Sequence, residues 1–291
     1  MSKIIYFGNF LDTAVRTIDS EIYSSFTNHE VKCFDIKNFD MKELLDACEK
    51  ADLFLFHGLV IADNDINYLL MIERLKMILM NVKCKKVLWY MDKVWSIKAQ
   101  VVDALLPLVD YAYFVDGTWV RRTKEKNVYH LPPAHTDFKG EFKPELACDI
   151  AYVGKMYGTR TEEYSYLKET FGERIKFHDN KYGQELADLC ASAKIMIIPR
   201  FPFDDFYWSD RIYEYLNNGA FVICPRAHGL TEEGFEDRKH YMSYHNDSEI
   251  VTVVMEMLEN EKLRKEIAEE GKKFVKGITY KSRIKEIMKN L

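Results

Sequence analysis

Arg211 and Glu214 stand three residues apart in the segment Phe206-Tyr207-Trp208-Ser209-Asp210-Arg211-Ile212-Tyr213-Glu214-Tyr215, a spacing that puts both on one face of a helix. A guanidinium in that position suits a phosphate, while a carboxylate one turn on accepts two hydroxyl hydrogen bonds from a ribose. The same spacing also suits an exposed ion pair worth a few tenths of a kcal/mol. Ser209 is placed to cap the helix, leaving amides and the positive dipole end for an anion, and Gly219 supplies a left-handed stop.

A second group of residues points the same way. Gly154-Lys155-Met156-Tyr157-Gly158-Thr159-Arg160 follows the apolar run ending at Val153, combining two glycines with two cations. Such a loop allows a backbone to approach a diphosphate, and it also serves as an ordinary strand-to-helix connection. In the first half, Gly8-Asn9, His57-Gly58 and Asp92 each follow an apolar run. Asp92, next to Trp89, Tyr90 and Trp95, is a candidate general base if those rings desolvate it and raise its pKa; capping the following helix is the plainer role. His57 reads as a structural histidine. Tyr207 and Trp208, flanked by Asp204-Asp205, suggest the lining of a sugar pocket.

These residues need rigid elements to hold them. The first half alternates β-rich runs at 4–7, 31–35, 53–56, 87–91 and 111–115 with helical stretches at 41–50 and 64–80, the rhythm of a parallel sheet covered by helices. Asp40 with Glu43 forms a capping box at the start of one of them. Proline and loss of periodicity from Leu131 to Pro144 mark a connection. A second series follows: strands at 149–153, 175–177, 195–198 and 220–224, with helices at 161–171, 184–193 and 210–218. The expected fold is α/β, two Rossmann-like lobes facing a central cleft. The first lobe, 1–143, takes the acceptor, and the second, 144–277, takes a nucleotide. A helix over 278–291 is expected to cross back to the first. Ligands in open α/β sheets bind at the carboxyl ends of the strands, so the cleft is the expected site.

Composition narrows the class. Hydrophobic residues at 47% and charged residues at 30% describe a packed, water-soluble chain, not a disordered or fibrous one. The net charge of −5 argues against a dedicated nucleic-acid coat. Basic clusters at Lys83, Lys85 and Lys86 and at Arg121, Arg122, Lys124 and Lys126 leave a local anion-binding face open. Six cysteines without a C-x-x-C pair read as reduced thiols. No signal sequence or apolar run of spanning length is seen, so a cytoplasmic protein without a membrane span is expected, in the host cytoplasm if phage-encoded. A dehydrogenase is disfavoured because no G-x-G-x-x-G follows the first strand.

Over residues 148–283 the chain resembles glycosyltransferases of the two-Rossmann-lobe (GT-B) type, especially the spore-maturation-like bacterial group. The resemblance rests on the Gly154 to Arg160 loop, Ser209-x-Arg211-x-x-Glu214 followed by Gly219-Ala220, and Thr279-Tyr280-x-x-Arg283. It implies Glu214 as ribose ligand and Arg211 and Arg160 on the diphosphate, for which Lys155 of the same loop is a further candidate. The chain is also similar to phage DNA β-glucosyltransferases in Gly8-Asn9, Asp92, the Gly154 loop and Arg211-x-x-Glu214. That likeness implies Asp92 as the base of an inverting transfer and His178 near the nucleotide base. The acid of the double-glutamate retaining pattern would fall at Phe206, which speaks against retention.

The expected function is transfer of a hexose or pentose from a nucleoside-diphosphate sugar, a UDP-sugar foremost, to an acceptor hydroxyl. No obligatory cofactor or metal is expected. Hydroxymethylpyrimidine in phage-type DNA leads among acceptors, ahead of a bacterial glycan, protein or small molecule. A non-catalytic nucleotide-sugar-binding protein is the competing class.

Overall fold

A computed structural model of the chain describes residues 1–10, 18–57, 66–94, 97–179, 181–200 and 203–291. Gly58, Asn64 and Trp95, which the sequence reading used, lie outside the described residues. The chain divides into two compact units, Met1–Pro132 with Arg283–Leu291, and Pro133–Ser282.

The first unit runs β1 (Lys3–Gly8), α1 (Ile18–Ser24), β2 (Glu30–Asp35), α2 (Met41–Cys48), β3 (Leu53–His57), α3 (Ile66–Asn81), β4 (Lys85–Tyr90), α4 (Ile97–Leu105), β5 (Tyr111–Phe114), α5 (Gly117–Arg122) and β6 (Val128–His130). All pairings in its sheet are parallel, in the order β2-β1-β3-β4-β5-β6. Both faces of such a sheet are covered, which is why β1 and β3 read Ile-Ile-Tyr-Phe and Leu-Phe-Leu-Phe without polar alternation and are buried throughout those runs. Phe7, Phe54, Leu88 and Phe114 pack with Leu44 of α2, Ile78 of α3 and Leu105 of α4. At the start of α2, Asp40 accepts the Glu43 N–H at 2.8 Å as expected. The Glu43 carboxylate pairs with Lys32 instead of reaching back, so only half of the capping box forms.

The second unit contains β7 (Cys148–Val153), α6 (Thr159–Phe171), β8 (Ile175–His178), α7 (Gly183–Ser192), β9 (Ala193–Ile197), α8 (Arg211–Asn217), β10 (Val222–Pro225), α9 (His228–Glu232), β11 (Met242–Tyr244), α10 (Asp247–Glu259) and α11 (Glu261–Val275). A last helix, α12 (Tyr280–Lys289), begins here and ends among the residues of the first unit. The sheet is again parallel, in the order β11-β10-β9-β7-β8. Ile150, Tyr152 and Ile197 point to one helical layer, and Ala151, Val153 and Met196 to the other. Two strands went unforeseen in the sequence, β6 and β11. Each has three residues, too few to show a period.

Residues 133–143, expected with the first lobe, belong to the second unit. The reason is close backbone contact: a Cβ at Gly140 would lie 1.9 Å from the Ala187 carbonyl oxygen, and Lys139 Nζ bonds Asn217 Oδ1 at 3.1 Å. All six cysteines are free thiols.

Candidate functional site

In the second sheet the chain crosses from β7 outward to β8 on one side and to β9 on the other, so the strand order reverses between β7 and β9. The carboxyl ends of strands at such a reversal form the ligand crevice of open α/β sheets. Gly154 occupies that point with φ at +143°, a backbone angle that side chains rarely adopt. Its N–H bonds the His178 carbonyl at 3.1 Å, fixing the turn against β8.

Two guanidinium groups close on Gly154. A Cβ at that position would lie 3.2 Å from Arg160 Nη1 and 3.8 Å from Arg211 Nη2. Arg160 comes from the first turn of α6 and is 8% exposed, with its guanidinium 4.8 Å from the centre of the Tyr157 ring. Arg211 opens α8, whose Gly219 takes the left-handed stop at φ +77°. The start of α6, at Gly158, has no side-chain cap, which leaves the helix end to other acceptors. Lys155, in the same loop, is exposed. His178, at the end of β8, has its Nε2 buried with no hydrogen-bond partner among the described residues, and burial lowers its pKa.

A buried acid braces this loop from behind. Glu163 of α6 accepts from Tyr152 of β7 at 3.2 Å, from Tyr244 of β11 at 3.1 Å and from the Arg200 N–H at 3.3 Å. The Arg200 guanidinium lies 3.5 Å away, yet burial dominates and raises the Glu163 pKa. This ties the helix that carries Arg160 to three strand ends.

Glu214 is engaged within the chain: Oε1 accepts the Thr136 N–H at 2.7 Å and Oε2 the Thr136 hydroxyl at 2.9 Å. Asn217 Nδ2 donates to the Thr136 carbonyl at 3.1 Å, and Asn218 Oδ1 accepts from Gly140 N at 2.8 Å. One face of α8 therefore holds the 136–140 segment.

Several expectations are corrected. Asp210 takes the N-cap position of α8, in helical conformation and without a side-chain cap bond; Ser209 Oγ accepts the Arg211 N–H at 3.3 Å. Trp208 is core: it is 2% exposed, packs against Gly229 and donates to the Tyr213 hydroxyl at 3.0 Å. Tyr207 is also buried. An apolar strand of aromatics and a sugar platform look alike in sequence, and here packing wins.

In the first unit Asp92 follows β4, but its side chain is 47% exposed and ion-paired with Lys98, and it accepts the Lys93 N–H at 2.7 Å. The expected desolvation is absent. The better-shielded acid is Asp19 of α1, 4% exposed, which accepts from Tyr6 Oη at 2.7 Å and from His57 Nδ1 at 2.8 Å. Lys83 precedes β4, Lys85 and Lys86 begin it, Lys124 and Lys126 precede β6, and Arg121 and Arg122 end α5, so these cations gather at the amino edge of the sheet, opposite the end where ligands bind.

Sequence reasoning missed Thr136, Tyr157, Glu163 and Asp19. Only Tyr157, an aromatic between two glycines, carried a local signal. Among the described residues no group of three His, Cys, Asp or Glu side chains is placed to hold a metal, and no helix is long and apolar enough to cross a membrane.

The glycosyl transferase-like family matches residues 142–289, just over half of the chain, and the chain belongs to that family. Its fold is that of GT-B glycosyltransferases. An alpha-glucosyltransferase solved with UDP and a 13-mer DNA superposes with a TM-score of 0.72 at 10% identity, covering 99% of this chain and 98% of that one. HepE of Anabaena, solved with UDP and glucose, gives 0.65 at 11% identity over the whole of both chains. Sucrose-phosphate synthase of Thermosynechococcus elongatus gives 0.65 at 10% identity, covering 100% and 99%. No curated protein matches the chain in sequence. The chain is a glycosyltransferase.

Proposed function

We propose that the enzyme transfers a sugar from a UDP-sugar to an acceptor hydroxyl, with the donor held by the second unit. The observation that carries this reading is the approach of Arg160 and Arg211 to Gly154 at the strand-order reversal of the second sheet. Cleavage of the sugar–phosphate bond leaves negative charge on the diphosphate, and two fixed guanidinium groups in a partly buried site stabilise that charge as it forms. Gly154 lets the backbone approach the diphosphate, Lys155 adds a solvent-facing charge, and Ser209 extends the polar rim. The uncapped start of α6 offers amides to the phosphate. Glu214 takes the ribose hydroxyls, and His178 lies beside the uracil. UDP is the nucleotide because UDP or UDP-glucose is bound in HepE and UDP in the alpha-glucosyltransferase.

UDP titration tests the donor site. Glu214→Ala is expected to weaken UDP binding about tenfold or more, the loss of charge-assisted bonds to two hydroxyls. Thr136→Val removes the internal partner and should leave affinity nearly unchanged. Equal UDP affinity in wild type and Glu214→Ala would confine Glu214 to holding Thr136.

For the acceptor, hydroxymethylpyrimidine in DNA is supported by the alpha-glucosyltransferase solved with UDP and DNA containing an HMU base. Placement of the basic clusters at the amino edge of the first sheet favours instead a glycan, protein or small-molecule hydroxyl. Binding of an HMU duplex that falls steeply with salt, followed by label transfer from UDP-glucose, selects the first; salt-insensitive binding selects the second. The stereochemical course we propose is inversion by single displacement, read from the anomeric configuration of the product by NMR.

A further inference from the structure

Two cysteines that are distant in sequence meet at the amino edge of the first sheet. Cys48 is the last residue of α2, and the turn behind it, with the Ala51 N–H on the Cys48 carbonyl at 3.2 Å, leads directly into β3. Cys84 stands immediately ahead of β4. β3 and β4 pair in parallel from their first residues, Leu53 beside Lys85, so the end of the helix and the start of the strand come to one corner of the unit. Cys48 is 2% exposed, and Cys84 is half-buried against the same apolar cluster. The two thiols hydrogen-bond each other.

That contact gives the two sulfurs different characters. The Cys48 S–H donates to the Cys84 sulfur, and this bond, with the Lys86 ammonium nearby, lowers the Cys84 pKa against the effect of burial. Donating that bond, together with burial, raises the Cys48 pKa. Exposed Lys83 and Lys85 flank Cys84 in the chain and add positive charge around its outer face. The remaining cysteines are unlike this pair. Burial pushes up the thiols of Cys33, Cys148, Cys190 and Cys224, and no thiol stands among the groups that act most strongly on them. A partly exposed sulfur that favours the thiolate, backed by a buried thiol within bonding reach, is the arrangement of a reactive cysteine with its resolving partner.

We infer that Cys84 and Cys48 form a reversible disulfide in response to a peroxide, stapling the end of α2 to the start of β4. The Cys84 thiolate attacks one peroxide oxygen and the O–O bond breaks. Cys84 becomes a sulfenic acid, and the departing hydroxide takes up a proton and leaves as water. The Cys48 sulfur then attacks Cys84 Sγ, the S–O bond breaks, and the Cys48 proton goes to the hydroxyl, which leaves as a second water. The two thiols together lose two electrons, and the peroxide is reduced to two waters. A dithiol reductant reverses the step by exchange. The closed loop contains β3 and α3, so the staple acts on the unfolded chain by restricting two core elements of the first unit. The inference is independent of the UDP-sugar reading.

The probe is hydrogen peroxide, added to the reduced, folded wild-type chain and then destroyed with catalase. Remaining thiols are blocked with N-ethylmaleimide in urea, and the chain is mapped as peptides without reductant. A cross-linked peptide joining Cys48 to Cys84 is expected, with the other four of the six cysteines alkylated. The urea midpoint of the oxidised chain should rise by about 1 M and return with dithiothreitol. Cys84→Ser is expected to consume peroxide about tenfold more slowly than wild type or worse. Cys48→Ser should still be oxidised at Cys84 and stop at the sulfenic acid, which dimedone traps. All six cysteines alkylated in the peroxide-treated wild type overturn the inference, as does a cross-link that forms only when the chain is unfolded before peroxide is added. Peroxide consumption by Cys84→Ser at the wild-type rate, with dimedone on Cys48, overturns the assignment of Cys84 as the attacking thiol.

Discussion

The two units share one backbone plan and differ in the charge placed on it. In each, the first strand lies between the second and third, with the fourth and fifth beyond, and a glycine stands at the end of the first strand: Gly8 is the last residue of β1 and Gly154 follows β7. At Gly8 the nearest side-chain atom to a would-be Cβ is the buried Asp19 carboxylate, whereas at Gly154 it is the Arg160 guanidinium. The equivalent strand ends therefore carry an acid and an imidazole in one unit and two cations in the other. The fold sets where chemistry happens, and a few side chains set its sign. Fixed cations are what the proposed departure of a diphosphate calls for.

The contrast can be broken most severely on the cationic side. Replacing both Arg160 and Arg211 by alanine is expected to lower UDP-glucose turnover about 1,000-fold, the scale of losing preorganised charge at a leaving group. UDP affinity should fall with it. Turnover within tenfold of wild type would mean that the diphosphate is held elsewhere.

The two glycines give a matched pair. Gly8→Ala drives a methyl group to 2.2 Å from Asp19 Oδ1 and should cost about 1–3 kcal/mol of stability with UDP affinity intact. Gly154→Ala meets strain at φ +143° and crowds Arg160, so UDP affinity should drop about tenfold. Chemical denaturation and UDP titration of both variants separate these outcomes. Equal effects of both variants on UDP binding would erase the proposed difference between the units.

Reading the sequence reached the cationic half more fully than the acidic half, for physical reasons. Gly154, Arg160 and Arg211 lie within short segments where a strand end, a glycine and a helix start are visible together. The partner of Glu214 is Thr136, 78 positions away in a segment without periodicity, so nothing local announces the pair. Asp19 likewise meets His57 across 38 positions, and a histidine after an apolar run reads as structural until its partner is seen. The exposure of Asp92 was not legible either, because its neighbours Trp89 and Tyr90 are buried while its own side chain turns to Lys98 and solvent. The longer strands were legible, whereas the three-residue strands β6 and β11 and the helices α1, α4, α5 and α9 were not.

The acidic half also carries its own pH dependence. The Asp19 pKa in the folded chain lies below its ordinary value of 3.8, so its contribution to stability is fully present above that value and is lost as pH falls through the folded pKa. Urea denaturation at pH 6 and pH 3 should therefore show wild type losing more stability on acidification than Asp19→Asn. Parallel losses would mean that the buried network does not favour the ionised acid.

The smallest expected effect concerns Lys155, which shares the Gly154 loop with Arg160 but faces solvent. A mobile exposed ammonium gains little from a diphosphate beyond screened attraction, whereas Arg160 is fixed under the Tyr157 ring and largely buried. Lys155→Ala should weaken UDP binding only about two- to threefold in low salt, with the difference vanishing near 0.5 M salt. A loss as large as that of Arg160→Ala, persisting in high salt, would show that Lys155 folds onto the diphosphate when it binds, and the cationic half would then consist of three charges, one of them recruited by the ligand.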